Sequence, residues 1–411
     1  MKQTSGFIST YSADAFGVCS ALYELGGLIV MHDASGCNST YTTHDEPRWY
    51  DMDSMVYISG LTEIEAIMGD DSRLIDDIVN AAAELHPRFI AIVGTTIPAM
   101  TGFDADAAAR VVENRTGIKT YGFKTTGMRS YVHGVSEAFL ALADIVAENY
   151  RLKQTMSEGS GDTLEADIKA GSGTGNEKSV NIIGLTPLDF SINGSDKAIK
   201  AYYEAKGYKV ISTWAMGSSM EEILEAPKAG LNIVVSEAGI CAAKKMKEEF
   251  GISFKAGIPV GGEDIDITGF FNADAGISKS DVNRVSRQSD LTGGTGYTPV
   301  MESYKDCDCI IIGEAVSSYS LAEYLKQKTG RNIGVIVSTD LDEDGIADAL
   351  LTAPDDCTVI ADPLFKPLLK NKKLIRLPHE AFSGRLYRDE IPDLVTDIRW
   401  LDECTGVIAR I

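Results

Sequence analysis

The sequence predicts an α/β protein built from doubly wound units, each a parallel sheet covered by helices. Two observations carry this expectation: short buried apolar runs end in turn residues, and amphipathic helical patterns separate one run from the next. Length adds a third. At 411 residues the chain is too long for one compact core, so two or three domains are expected.

Taken in order, FGVCSALYELGG opens with an apolar helix-like run, CSALYEL, that meets a break at Gly26 and Gly27. LIVMH follows as a buried strand, and the turn DASG then presents Cys37. DSRLIDDIVNAAAEL reads as an amphipathic helix and RFIAIVGTT, residues 88–96, as the next buried strand. VNIIGLTP (180–187), LNIVVSEAG (231–239), CIIIGEA (309–315), NIGVIVST (332–339) and CTVIADP (357–363) have the same strand form. SDKAIKAYYEAKG, ICAAKKMKEEFG and SLAEYLKQKTG are the helices between them. Residues 154–179, rich in Gly, Ser and acids, break the rhythm and read as a linker or long surface loop. The expected division is therefore 1–153, the linker 154–179, a second domain 180–303 and a third 304–411.

Composition is that of an ordinary soluble globular protein, 44% hydrophobic and 24% charged. The excess of 60 acidic over 38 basic residues, net −22, disfavours nucleic acid and anionic membrane as partners. No run of about twenty apolar residues appears, and MKQTSGFIST lacks a signal-peptide core, so a cytoplasmic location is expected. There the seven cysteines stay reduced, and their odd count and spacing do not suggest a disulfide framework.

Five stretches hold residues able to do chemistry. Cys37 follows Ser35-Gly36 at a strand end, where a thiolate on a glycine-bearing turn is well placed to hold a metal or cluster at a domain edge. The alternative is a turn cysteine beside a surface loop. Cys19 lies on the preceding helix, as a second ligand or as a small buried hydrophobe. THDEPRW crowds His44, Asp45, Glu46, Arg48 and Trp49 into a non-periodic loop that suits a substrate contact, a subunit interface or plain solvation. Thr95 and Thr96 end a strand where open α/β sheets place ligands, with helix capping by Thr101 or Asp104 as the alternative. YGFKTTGMRSYVHG brings Lys124, Arg129, Tyr131 and His133 to an anion site, a pocket or loop packing, and LPHEAFSGRLYR places His379, Arg385 and Tyr387 after a strand. Cys241, Cys307, Cys309 and Cys357 read as core. No GxxxxGK[ST] occurs, so ATP is not expected to bind this chain, and no clean GxGxxG opens a unit, so NAD is not favoured. GxSxG and HExxH are absent as well.

Residues 16–37, IAIVGTTIPAMTGFD and LNIVVSEAGICAAKKMKEEFGISF together resemble the nitrogenase component 1 family over nearly the whole chain. That family includes the molybdenum-iron protein subunits, the related cluster-assembly scaffolds, dark-operative protochlorophyllide reductase and a nickel-tetrapyrrole reductive cyclase. HDASGC is the most specific element and resembles His-Gly-Pro-x-Gly-Cys. The resemblance implies three Rossmann-like domains and a homodimer or a heterodimer with a related subunit. It also implies electrons from an ATP-dependent iron-sulfur reductase and a cluster, [4Fe–4S] by expectation, at the subunit interface. Among site residues it implies Cys37 and Cys19 as metal ligands, and His32, Gly36, Thr95, Thr96 and His379 as cofactor-binding. This chain departs from the pattern in three places. The family's first cluster cysteine falls near Ser12, with Cys19 as its replacement. Its third is Ile97, which cannot ligate iron, and the large-cofactor cysteine aligns near Val235. Two cysteines per chain would still give a homodimer four thiolates, enough for one [4Fe–4S] cluster. With Cys37 alone, Ser12, His32 or Asp33 are the nearest substitutes.

The function expected is that of a nitrogenase-like oxidoreductase subunit that reduces a small molecule other than dinitrogen. The alternatives are a non-catalytic scaffold or carrier for a metal cluster or tetrapyrrole in cofactor assembly, and a cluster-free binding module.

Overall fold

The computed structural model describes residues 13–34, 36, 38, 41, 46–158, 178–271, 304–339 and 343–411. Among these, three parallel four-stranded sheets carry the architecture. The first contains β1 (Leu28–Met31), β2 (Val56–Ile58), β3 (Ile90–Val93) and β4 (Thr120–Phe123). The second contains β5 (Ser179–Leu185), β6 (Lys209–Ala215), β7 (Leu231–Val234) and β8 (Ser253–Ala256). β9 (Cys309–Gly313), β10 (Ile333–Val337), β11 (Thr358–Ala361) and β12 (Lys373–Arg376) make the third.

All three sheets share one order: the second strand, the first, the third, then the fourth. The direction of strand addition therefore reverses between the first and third strands, at β1/β3, β5/β7 and β9/β11. That reversal opens a crevice beyond the carboxyl ends of the strands, where open α/β sheets bind ligands. β1 and β3 are buried at every position, as strands covered on both faces must be. The edge strands β8 and β12 are half exposed and carry lysines or an arginine, which blunts their unpaired edges.

The chain forms two compact units. One holds residues 13–158 and 212–227, including the first sheet. Helices Ser72–Leu85 and Ala105–Thr116 cover one face of that sheet, packing Leu74, Ile78, Ala108 and Val112 on Leu28, Val30, Ile90 and Ile92. Helix Asp14–Leu22 crosses the long helix Tyr131–Glu158, with backbones so close that a Cβ on Gly134 would lie 1.8 Å from the Asp14 carbonyl oxygen. On Gly17 it would lie 2.1 Å from that of Tyr131. Only glycine admits this approach. The long helix takes in residues 154–158 of the expected linker; residues 159–177 lie outside the described residues, and Ser179, the last linker position, opens β5.

The other unit holds residues 178–211 and 228–411. A core in this unit is built on Ile310, Ile312, Ile336, Val359, Phe365 and Phe382. Cys241, Cys307, Cys309 and Cys357 are free and buried, as expected of core cysteines. Among the described residues no helix is long and apolar enough to cross a membrane.

Candidate functional site

In the first unit the crevice is framed by the residues that follow β1 and β3. His32 leaves β1 buried, its Nδ1 2.9 Å from Ser59 Oγ and its ring tilted on Phe103 with centroids 4.5 Å apart. Thr95 Oγ1 donates to the His32 carbonyl oxygen at 2.7 Å, tying the two strand ends together. Burial holds the His32 imidazole at a pKa of about 4, so it is neutral near pH 7. Asp33 follows, buried, and accepts from Ala34 N at 2.8 Å and Asn38 Nδ2 at 2.5 Å. Burial raises its carboxyl pKa. Gly36 is exposed and open on the side a Cβ would occupy. Thr96 is exposed and donates to the Thr126 carbonyl at 3.0 Å. Asp104 caps the next helix through Ala107 N at 3.1 Å. Cys37, His44 and Asp45 lie outside the described residues.

Cys19 is fully buried on its helix. Desolvation, with the Glu46 charge beside it, pushes its thiol pKa far above the ordinary value. The loop expected to be solvated by default is in part interior. Glu46 and Arg48 are buried, with Arg48 Nε 2.6 Å from Glu46 Oε1 and Tyr41 donating to Glu46 Oε2 at 2.8 Å. Arg48 also reaches Glu24 Oε1 at 2.9 Å and the Ser20 carbonyl at 2.8 Å, and its guanidinium lies 4.7 Å over the Tyr23 ring. The Lys124 group packs locally: Lys124 pairs with Asp106 at 2.5 Å, Arg129 meets His133, and Tyr131 is buried. Among the described residues no group of three or more His, Cys, Asp or Glu could hold a metal ion.

Beside the crevice lies an apolar surface that no sequence pattern announced. Helix Glu63–Met68 buries none of its residues, leaving Ile64 74%, Ile67 75% and Met68 73% exposed. The adjoining helix Thr96–Thr101 leaves Met100 82% exposed. These helices follow β2 and β3, so the patch borders the carboxyl edge of the sheet.

The other unit has a cleft at its third-sheet crevice. Glu314 follows β9 and Asp362 follows β11, and Asp189, on helix Pro187–Phe190 after β5, and His379 join them. Counted to its open mouth the cleft is about 680 Å³. Phe190, Ile258, Phe365, Phe382 and Leu394 give it apolar walls. Glu314 accepts from Glu237 N at 2.7 Å, Val316 N at 3.1 Å and Ser317 N at 2.8 Å, and caps helix Ala315–Thr329. Burial, then the Asp189 charge, raises its carboxyl pKa to about 7. Asp362 accepts from His379 N at 2.8 Å and Ser383 Oγ at 2.5 Å.

His379 Nε2 lies 3.6 Å from Asp189 Oδ1. Burial opposes charge on this imidazole, yet the Asp189 carboxylate, with Asp362 and Glu314, raises its pKa above the ordinary value. The turn holding Asp189 is fixed by Ser191, a non-glycine residue at φ 55 whose Oγ donates to Glu380 Oε2 at 2.7 Å. Arg388 in turn donates to Glu380. Arg385 and Tyr387 do not line the cleft. The structure thus brings His32, Thr95 and Asp33 together in one unit and sets His379 in the other. The sequence reading missed Asp189, Glu314 and Asp362, although each follows a buried strand.

Curated relatives with detectable similarity include the nitrogenase iron-molybdenum cofactor biosynthesis protein NifE of Clostridium pasteurianum, 27% identical over 48% of this chain and 38% of that protein. A light-independent protochlorophyllide reductase subunit of Angiopteris evecta is 27% identical over 38% of this chain and 32% of its own length. The nitrogenase molybdenum-iron protein alpha chain of Methanosarcina barkeri is 25% identical over 48% and 32%. The chain thus matches well under half the length of these relatives. Solved structures of nitrogenase Cp1 at pH 6.5 and pH 5 share the fold, with TM-scores of 0.57 and 0.56 over the whole chain, 95% and 90% of theirs, at 15% and 14% identity. Residues 15–366 match the family described as nitrogenase component 1 type oxidoreductase, and the chain belongs to that family.

Proposed function

We propose that this chain is a nitrogenase-like oxidoreductase subunit that takes electrons from an ATP-dependent iron-sulfur reductase and reduces a small molecule other than dinitrogen. The observation that carries the reading is the HDASGC sequence in a chain of this family, together with His32 and Asp33, which follow β1 at the crevice of the first sheet. Cys37 would anchor an interface [4Fe–4S] cluster shared with a like or related subunit, and Cys19, buried with its thiol held protonated, would have to give up that proton to iron to serve as second ligand. Bound there, the cluster would supply one-electron transfer. His32, neutral and fixed by Ser59 and Thr95, stands at the base of the same turn as a further donor. Thr95 ties the start of that turn to the end of β3, and Gly36 and Thr96 would complete the cofactor-binding surface.

The exposed apolar helix Glu63–Met68, on a strongly acidic chain, suits docking of a partner with an apolar centre and basic rim. We assign the reductase to it. The cleft around His379 is the site for the small molecule. The family reading and the free cysteines fit a cytoplasmic protein.

One observation favours a second reading. Similarity to a cofactor biosynthesis protein spans 48% of the chain, and a scaffold that holds a cluster or tetrapyrrole needs the cleft but no turnover. Incubating the anaerobically reconstituted protein with a reduced iron-sulfur reductase and MgATP separates the two. Bleaching of the cluster absorbance only when MgATP is present supports the subunit reading. A cluster that stays oxidised under those conditions rejects it.

A further inference from the structure

The Asp189–His379 pair is made by elements of two different sheets. Asp189 lies on helix Pro187–Phe190, which follows β5, and His379 opens helix Glu380–Tyr387, which follows β12. The His379 end is fixed within its own sheet, where Asp362, after β11, accepts from His379 N at 2.8 Å and from Ser383 Oγ at 2.5 Å. Those bonds do not determine where Asp189 stands.

Glu380 spans the two elements. It is fully buried, and its Oε2 accepts at 2.7 Å from Ser191 Oγ, two residues beyond Asp189. Arg388 holds the same carboxylate, with Nε 3.0 Å and Nη2 2.7 Å from Oε1. Ser191 sits at φ 55, a backbone conformation that a non-glycine residue keeps only when its surroundings hold it there. The helix also makes room for the carboxylate, since a Cβ on Gly384 would lie 2.3 Å from Glu380 Oε1. A buried ion pair adds little net stability over an apolar pair of the same volume. What Glu380 supplies is direction, because an oxygen accepts a hydrogen bond along defined lines and an apolar contact would let the turn slide. A further tie between the elements, from Asn193 Nδ2 to the Ile391 carbonyl at 3.1 Å, lies at the surface.

We propose that Glu380 is a positioning residue of the cleft: through Ser191 it sets Asp189 against His379, although it is not part of the cleft lining. The attraction between carboxylate and imidazole falls with their separation, so the place of Asp189 decides how firmly His379 holds its proton. The inference rests on the reading of the cleft as the small-molecule site for its meaning in catalysis, but the geometry needs neither ligand, cluster nor reductase.

The test follows the His379 imidazole through a pH titration by NMR in the full chain, where it is one of five histidines and is assigned with His379→Gln. Asp189, Glu314 and Asp362 act on that imidazole and Asp393 shares its cleft, so all four are kept in every variant. Ser191→Ala removes the bond to Glu380 and no charge. Gly384→Ala drives the carboxylate from its place and removes no polar group. Each should weaken proton binding by His379 at least about threefold, a fall of about half a pH unit in its midpoint. Glu380→Gln keeps an acceptor for the Ser191 hydroxyl and should move the midpoint less than half as far as Glu380→Ala. A midpoint unmoved in either Ser191→Ala or Gly384→Ala would overturn the inference. So would a Glu380→Gln shift as large as that of Glu380→Ala, because Glu380 would then act by its charge. If Glu380→Ala does not fold by near-ultraviolet circular dichroism, Ser191→Ala and Gly384→Ala decide. A moved midpoint supports the positioning even where MgATP-dependent reduction of the cluster fails, and an unmoved one rejects it even where that reduction succeeds.

Discussion

The Thr95 hydroxyl donates to the carbonyl oxygen of His32 at 2.7 Å, joining the ends of the two strands between which the first sheet reverses direction. Both residues are buried, so Thr95→Val leaves that carbonyl without its partner at similar side-chain volume. A loss of about 1–3 kcal/mol in urea unfolding is expected. An unchanged midpoint would mean that the hydroxyl does not hold the crevice together.

His32 gives a pH signature. Its folded pKa, about 4, lies below the ordinary 6.5, so as pH falls from 6.5 towards 4 the unfolded chain takes up a proton that the folded chain refuses. Its contribution to stability is complete above pH 6.5 and is lost across that window. The His32 ring resonances should therefore stay still between pH 8 and pH 5, whereas a midpoint near 6.5 would contradict the burial that keeps the ring neutral.

The cleft predicts the opposite slope. The Glu314 carboxyl, raised from 4.5 to about 7, stays protonated in the folded chain where the unfolded chain has ionised. Stability therefore falls as pH rises from 4.5 to 7, by about 3 kcal/mol in all. His379, raised above 6.5, adds stability that is present below 6.5 and is lost as pH rises through its folded pKa. Glu314→Gln should flatten the dependence of unfolding free energy on pH between 5 and 8, measured by denaturant titration at each pH.

Glu46 and Arg48 are buried partners, and removing one leaves the other charged in the interior. Arg48→Met should cost about 3–5 kcal/mol, and the double variant with Glu46→Gln should cost less than the two single changes added together. Additive losses in a double-mutant cycle would show that the pair is not coupled.

Ile64, Ile67 and Met68 touch little of their own chain. Ile64→Asp with Ile67→Asp should move the unfolding free energy by no more than about 0.5 kcal/mol per site. The same variant should slow reductase-dependent reduction of the cluster at least about tenfold in stopped-flow absorbance. Unchanged rates would take the docking role away from this helix.

What could be read from the chain follows burial. The inner strands β1, β3, β5, β7, β9 and β11, with the apolar edge strand β10, stand out as buried runs. The five strands not singled out, β2, β4, β6, β8 and β12, are all sheet edges, where SFKA and KLIR mix apolar and charged residues because one side meets solvent. The start of helix Tyr131–Glu158 read as loop because YVHG mixes polar residues with a glycine, yet Gly134 is there to let Asp14 approach. The Arg48 network was not readable because it draws on Glu24 and on the Ala215 carbonyl, 167 positions along the chain. Asp189, Glu314 and Asp362 could have been found, since the strand-end rule that singled out Thr95 applies equally to IIGLTPLD, CIIIGE and CTVIAD.

The central claim is an interface cluster anchored by Cys37. Iron and sulfide content and the EPR spectrum of the dithionite-reduced protein, purified anaerobically and reconstituted, test it most directly when wild type, Cys19→Ala and Cys37→Ala are compared. One shared cluster predicts roughly two irons per chain in the wild type, a reduced-cluster signal, loss of both in Cys37→Ala, and weakened retention in Cys19→Ala. A wild-type protein that stays colourless and iron-free after reconstitution, or an iron content unchanged by Cys37→Ala, would contradict it.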